Sequence, residues 1–361
     1  MRVIIRADGN QEIGMGHIMR CLSIADALQA KGAEAVFVTA DRESLALLRG
    51  RGYEPFVLEC SYREMESELG RFGRYFRQHP AELILVDSYC ITRRYMETVG
   101  SWARTAWMDD LGEPVYPTDV LIDYNIYGKE LPYETAYRQA GLRLPERSLL
   151  GCEYAPLRAQ FAEGRHSRIR ESVSDVLITT GGGDAANVAG ELCRRLAAEI
   201  GQGRHRDVRY HVVCGPFSRQ KEMLKQFAGE NPAFRIHENV TDMRGLMEEC
   251  DIAVSAAGST MYELCSMRLP TVCFTFAENQ LRMAACFDAL TEIRYAGNVM
   301  EEREAVMGRL LEQIFRLEQD GALRERIRRQ MEGLTDGRGA GRLARALLAE
   351  AGQGQSRGSE G

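Results

Sequence analysis

A chain of 361 residues is too long for one ordinary hydrophobic core and fits two domains of roughly 150 to 180 residues each. Hydrophobic residues at 45% and charged residues at 27% exclude a disordered or fibrous protein. A net charge of -6 gives no electrostatic footprint for a polyanion, so nucleic acid is not an expected partner. The 10 cysteines are scattered, from Cys21 and Cys60 to Cys286, with no CxxC pair and no Cys/His cluster at zinc spacing, and read as reduced thiols. The first residues enter a strand directly, without the basic head and apolar stretch of a signal peptide. No run approaches the ~20 apolar residues of a membrane span. A cytoplasmic protein with no membrane span is expected.

In chain order, strand-type runs are predicted at Val3 to Arg6, Ala35 to Thr39, Leu83 to Asp87 and Thr105 to Met108. Helices are predicted between them, at His17 to Lys31 and Tyr62 to Gln78. The alternation restarts with Asp175 to Thr180, Val208 to Cys214, Phe234 to His237, Ile252 to Ser255 and Thr271 to Phe274, each followed by a helical stretch. This βα alternation predicts an α/β protein with two doubly wound parallel sheets. The charged, weakly periodic stretch from Leu157 to Ser174 predicts the connection, with a boundary at 165–172. The expected domains are 1–165 and 172–335, followed by a C-terminal helix over 336–351 and a disordered tail over 352–361.

The loop Asp8-Gly9-Asn10-Gln11-Glu12-Ile13-Gly14-Met15-Gly16-His17 joins a strand to a helix. Gly14 and Gly16 let backbone approach a ligand, and a helix start offers unpaired N–H groups. The spacing is neither GxGxxG nor a Walker loop, and the four lysines, Lys31, Lys129, Lys221 and Lys225, follow no glycine run. His17 at the helix N-terminus, where the dipole disfavours imidazolium, suits a general base; a capping or packing role is the alternative. Arg20, one turn on, reads either as an orienting charge or as an ion pair on the helix face. Asp87-Ser88-Tyr89 and Asp109-Asp110-Leu111 close strands and could hold a sugar hydroxyl, or serve the loop. The acidic pair lacks a His or third carboxylate at metal spacing, so no metal is expected.

In the second half, Thr179-Thr180-Gly181-Gly182-Gly183-Asp184-Ala185-Ala186-Asn187 offers backbone amides to a diphosphate. Ser255-Ala256-Ala257-Gly258-Ser259-Thr260-Met261-Tyr262-Glu263 is a third strand, small-residue turn and helix start. Glu263 can accept both hydroxyls of a ribose, although Thr260-x-x-Glu263 also fits a capping box. Asn279 and Gln280 begin a further helix and place two amides by the same strand ends, or cap that helix.

These motifs resemble the UDP-sugar hydrolases of pseudaminic acid biosynthesis, which cleave UDP-2,4-diacetamido-2,4,6-trideoxy-β-L-altropyranose. They are similar in turn to the GT-B UDP-N-acetylglucosamine transferase of lipid II synthesis. The resemblance rests on Arg6, Asp8, Gly14-x-Gly16-His17-x-x-Arg20-Cys21, Val86-Asp87-Ser88-Tyr89, Asp109-Asp110-Leu111 and Leu150-Gly151-Cys152-Glu153-Tyr154-Ala155-Pro156-Leu157-Arg158. It continues through Gly181-Gly182-x-Asp184-x-x-Asn187, Ala257-Gly258-Ser259-x-x-x-Glu263 and Asn279-Gln280. The chain departs from the family pattern at Tyr262 and Ala257, where a Trp and a second glycine are usual. The resemblance implies a GT-B fold, two Rossmann-like domains facing a cleft, with UDP held mainly by the second and the sugar facing His17. It implies inverting hydrolysis without metal or cofactor, with His17 activating water, and a place in pseudaminic acid biosynthesis and flagellin glycosylation. Gly14, Gly16, Arg20, Asp87, Tyr89, Gly182, Asp184, Asn187, Gly258, Ser259, Thr260, Glu263, Asn279 and Gln280 are the expected substrate contacts. Two alternatives stay open: a UDP-sugar glycosyltransferase of the same fold, and a non-catalytic UDP-sugar binding protein associated with other sugar-pathway enzymes.

Overall fold

A computed structural model describes residues 1–357 except 11, 164–168, 206 and 216–217, with the side chains of 163 and 354–357 also outside the described set. Gln11 of the first loop and the first half of the expected connection at 165–172 therefore lie outside the described residues. The chain divides into two compact units, Met1–Ala159 with Gly337–Gly361, and Gln160–Asp336.

The first unit runs β1 (Arg2–Ala7), α1 (Gly16–Gln29), β2 (Glu34–Thr39), α2 (Leu45–Gly50), β3 (Phe56–Val57), α3 (Met65–Gln78) and β4 (Leu83–Asp87). It continues with α4 (Arg93–Gly100), β5 (Arg104–Met108), β6 (Val120–Asp123), α5 (Tyr133–Gln139) and β7 (Arg147–Leu150). The second unit runs β8 (Asp175–Thr179), α6 (Val188–Gly201), β9 (Arg209–Cys214), α7 (Lys221–Glu230), β10 (Phe234–Glu238), α8 (Met243–Glu249) and β11 (Ile252–Ala256). Then follow α9 (Thr260–Ser266), β12 (Thr271–Thr275), α10 (Glu278–Leu290), β13 (Arg294–Asn298), α11 (Val299–Gln319) and α12 (Gly321–Glu332). The last helix, α13 (Gly339–Arg357), belongs to the first unit.

Both sheets are parallel, in the orders β3-β2-β1-β4-β5-β6-β7 and β10-β9-β8-β11-β12-β13. The predicted doubly wound α/β class is therefore observed. Strands β4, β5, β8, β11 and β12 are buried at every residue, as near-continuous apolar runs covered by helices on both faces require. In each sheet the order reverses direction once, between β1 and β4 and between β8 and β11. Strand ends separate there, and ligands of open α/β sheets bind in that crevice. The predicted loops at His17 and at Gly181 and Gly258 follow these switch-point strands.

The terminal segment differs from expectation. Residues 352–357, expected to be an unstructured tail, continue α13, while 358–361 lie outside the described residues. Helix α13 packs on α1, β4 and β5 because Leu343, Ala344, Leu347 and Ala351, all fully buried, form a stripe at helical spacing. Its Glu350 pairs with Arg104 of β5 at 2.8 Å and Arg147 of β7 at 2.9 Å. The helix is thus part of the first unit and not a separate appendage.

Candidate active site

The loop after β1 is shaped by its own polar groups. Asn10 Oδ1 accepts from the backbone N–H of Glu12 at 2.9 Å and of Ile13 at 3.0 Å. Its own N–H donates to the Gly14 carbonyl at 3.2 Å. Gly14 has φ +73°, a left-handed conformation that glycine adopts without a Cβ penalty. Among the described residues no side chain caps the first turn of α1, and nothing lies within 4 Å of where a Cβ would stand on Gly16. Gly16 and the start of α1 are therefore uncovered by described side chains.

His17 and Arg20 lie one turn apart on α1, so both reach Asp87, the last residue of β4. His17 Nδ1 is 2.6 Å from Asp87 Oδ1. Arg20 donates from Nε to Asp87 Oδ2 at 2.6 Å and from Nη2 to Oδ1 at 2.5 Å. The Cys21 thiol donates to Asp87 Oδ2 at 3.4 Å. Burial of Asp87 would raise its pKa, but the Arg20 charge and then His17 outweigh it and hold the carboxyl well below the usual carboxylate range. An ionised Asp87 accepts, so His17 Nδ1–H donates, and in the neutral ring that tautomer puts the lone pair on Nε2. His17 is 6% exposed, and the Tyr89 ring, 47% exposed, stands edge-on to it at 4.7 Å.

A second tier fixes Arg20. Its Nη1 donates to Asp110 at 2.9 and 3.1 Å and to the Tyr124 hydroxyl at 3.1 Å, and its guanidinium sits over the Tyr124 ring. Asp110 also accepts from Tyr89 Oη at 2.6 Å and Asn125 Nδ2 at 3.1 Å. Thus α1, β4 and the loops after β5 and β6 converge on one charge network, bringing together the predicted His17, Arg20, Asp87 and Tyr89. Tyr124 and Asn125 were not among the predicted site residues. Their signal was Val120-Leu121-Ile122-Asp123, a short apolar run ending in a carboxylate, as Leu83-Ile84-Leu85-Val86-Asp87 does.

Beneath this network, Asp109 accepts from the Leu111 and Gly112 N–H groups at 3.0 and 2.8 Å. The Tyr133 hydroxyl lies 2.7 Å from Asp109 and 3.0 Å from Asp123. One hydroxyl carries one proton, so the second carboxyl must bring its own. Burial pushes Asp123 up to about 7, in keeping with a protonated carboxyl donating to the Tyr133 oxygen. The Asp109–Asp110 pair is therefore divided, one carboxylate facing Tyr133 and the other Arg20.

In the second unit the predicted residues follow β8, β11 and β12. Gly181 has φ +78°, and Cβ positions at Gly182 and Gly258 meet no atom of the described residues within 4 Å. A Cβ on Gly215 would lie 2.3 Å from the Gly181 carbonyl, so the loops after β8 and β9 touch through that glycine, which the sequence reading had not singled out. Asp184 is buried and accepts from the Val188 and Ala189 N–H groups at 2.8 and 2.9 Å. It caps α6 and shapes the glycine loop. Asn187, with φ +50°, stands at the same helix start, its carbonyl and that of Ala186 held by Arg303. Its buried Oδ1 has no partner among the described residues. Ser259, not Thr260, is the N-cap of α9 and makes no capping bond. The Thr260-x-x-Glu263 box is therefore out of register, and Glu263 stands half-buried one turn into the helix. Gln280 Oε1 accepts from the Phe276 N–H at 3.0 Å, fixing the loop after β12, while Asn279 beside it is exposed.

Among the described residues no three His, Cys, Asp or Glu side chains are grouped to hold a metal, and no helix is long and apolar enough to cross a membrane.

No protein-family model matches the chain. It is 23% identical over 305 residues to an uncharacterized protein of Methanocaldococcus jannaschii, covering 81% of this chain and 59% of that protein's length. It is 24% identical over 354 residues to the spore coat polysaccharide biosynthesis protein SpsG of Bacillus subtilis, covering 96% of this chain and 98% of that one. It is 24% identical over 288 residues to the UDP-2,4-diacetamido-2,4,6-trideoxy-β-L-altropyranose hydrolase of Campylobacter jejuni, covering 78% and 93%. Among solved structures, MurG of Acinetobacter baumannii superposes with TM-score 0.65 at 13% identity over 96% of this chain and 99% of that one. The spinosyn rhamnosyltransferase SpnG does so with TM-score 0.64 at 16% identity over 96% and 100%. The chain therefore has the GT-B fold, two parallel-sheet α/β units, and its distant relatives include a hydrolase that acts on a UDP-sugar.

Proposed function

We propose that the protein is a hydrolase that releases UDP from UDP-2,4-diacetamido-2,4,6-trideoxy-β-L-altropyranose, or from a close UDP-sugar, by attack of water on the anomeric carbon. The observation that carries this reading is the 2.6 Å contact of His17 Nδ1 with an ionised Asp87, which leaves Nε2 as a base. Nε2 takes a proton from water as its oxygen bonds to the anomeric carbon. The bond from that carbon to the UDP oxygen breaks, and the electron pair leaves with UDP. Attack opposite the leaving group inverts the centre. Asp87 orients the ring and stabilises the imidazolium that forms. Backbone amides at Gly181 to Gly183 and at Gly258 to Thr260 stabilise the departing diphosphate, and Glu263 accepts the ribose hydroxyls. Tyr89 and Arg20 shape the sugar side of His17.

The test is a pair of variants with two readouts, UDP release and UDP affinity. His17→Asn removes the base and lowers kcat by about 10²–10⁴-fold with UDP affinity kept within a few-fold. Asp87→Asn misorients the ring and acts in the same direction. An active His17→Asn enzyme excludes the base assignment.

A further inference from the structure

A cavity in the first unit, lined by none of the residues of the His17 network, carries cationic groups that the proposed reaction does not use. It has a volume of about 290 Å³ and is lined by Arg147 and Leu149 of β7, Tyr154, and Arg342, Arg345 and Ala346 of α13. Among the described residues, three guanidiniums line it and no carboxylate does. Arg342 and Arg345 are three residues apart and share one face of α13. Two of the three are held in place. Arg147 Nε donates to Glu350 Oε1 at 2.9 Å, while the other oxygen of this buried carboxylate serves Arg104 at 2.8 Å. Arg342 Nη1 donates to the Glu153 carbonyl at 3.0 Å. Arg345 is exposed and makes no hydrogen bond or ion pair with the described residues.

We infer that this cavity binds the phosphate group of a small phosphorylated metabolite, with Arg147 and Arg345 as its main donors. A guanidinium fork matches phosphate oxygens in geometry and charge. Glu350 balances Arg147, so the charge that an entering anion meets is chiefly that of Arg345, which pairs with no described carboxylate. Leu149, Ala346 and the Tyr154 ring supply an apolar wall for the organic part. A bound phosphate bridges β7 to α13 and so fastens the terminal helix to its sheet.

The full-length protein is titrated with glycerol 3-phosphate and followed by ³¹P NMR line broadening, with and without saturating UDP. Broadening that persists in UDP, weakens at least tenfold in Arg345→Glu and survives in part in Arg345→Lys supports the site. The Arg345 side chain has no described partner, so these variants fold. Unchanged affinity in Arg345→Glu, or full displacement by UDP, overturns it. Capture by phosphatidic acid vesicles without a response to glycerol 3-phosphate also overturns it. The comparison of variants reads out whether or not UDP binds, so its failure is separate from failure of the proposed hydrolysis.

Discussion

Buried Asp123 shows how one side chain can report on the whole charge network. With its folded pKa raised to about 7, it keeps a proton that the unfolded chain releases near 3.9. The stability contributed by Asp123 is therefore fully present below about pH 4. That contribution falls as pH rises towards 7, by on the order of 4 kcal/mol for an isolated group. Asp123→Asn removes this slope. Its melting temperature relative to the unsubstituted protein is expected to climb between pH 5 and 8, and a constant difference would contradict a protonated Asp123. A second buried group, Arg6, pairs with Asp8 at 2.6 Å and with Glu68 at 2.6 and 2.7 Å, while Tyr95 donates to Glu68 and the Ala40 N–H to Asp8. This cluster anchors the end of β1, from which the His17 loop departs. Two motif residues of the sequence, Arg6 and Asp8, thus act beneath the site.

At the level of elements, Asp184 is worth most to α6. Its two oxygens satisfy two N–H groups of the helix start, which otherwise lack intrahelical partners. Asp184→Ala is expected to lower stability by about 1–3 kcal/mol, read as a fall in urea midpoint, and Asp184→Asn by less, because one acceptor remains. The strands that set the two switch points were legible because β1, β4, β8 and β11 are apolar runs ended by Gly or Asp. Strands β3, β6 and β7 were not: at two to four residues they carry too little periodicity to stand out. Missing β6 hid Tyr124 and Asn125, although Asp110, their shared neighbour, was visible as a motif. Glycine spacing revealed the His17 loop, but the ladder from His17 to Asp87 to Arg20 to Asp110 depends on tertiary pairing across 90 residues, which no local pattern encodes.

The whole chain passes from the first unit to the second at Ala159 and returns at Gly337. The return was illegible because α13 looks like any amphipathic helix, and only the buried Glu350 and its stripe of Leu343 and Leu347 show where it belongs. Ending the chain after Asp336 exposes that apolar stripe's partners and leaves Arg104 without Glu350. Such a truncation is expected to destabilise the first unit, seen as loss of hydrogen-exchange protection in β4 and β5, while β8 and β11 keep theirs. Equal loss in both units would contradict the division. The two units also divide the proposed chemistry, the base in the first and the diphosphate loops in the second.

The central claim is carbon–oxygen cleavage by water activated at His17. The most direct measurement is NMR of the purified protein with UDP-2,4-diacetamido-2,4,6-trideoxy-β-L-altropyranose in ¹⁸O-water, without an acceptor. Free UDP with the label on the sugar's anomeric oxygen is the predicted result. Label in the UDP phosphate, or a substrate that binds and stays intact, would contradict it.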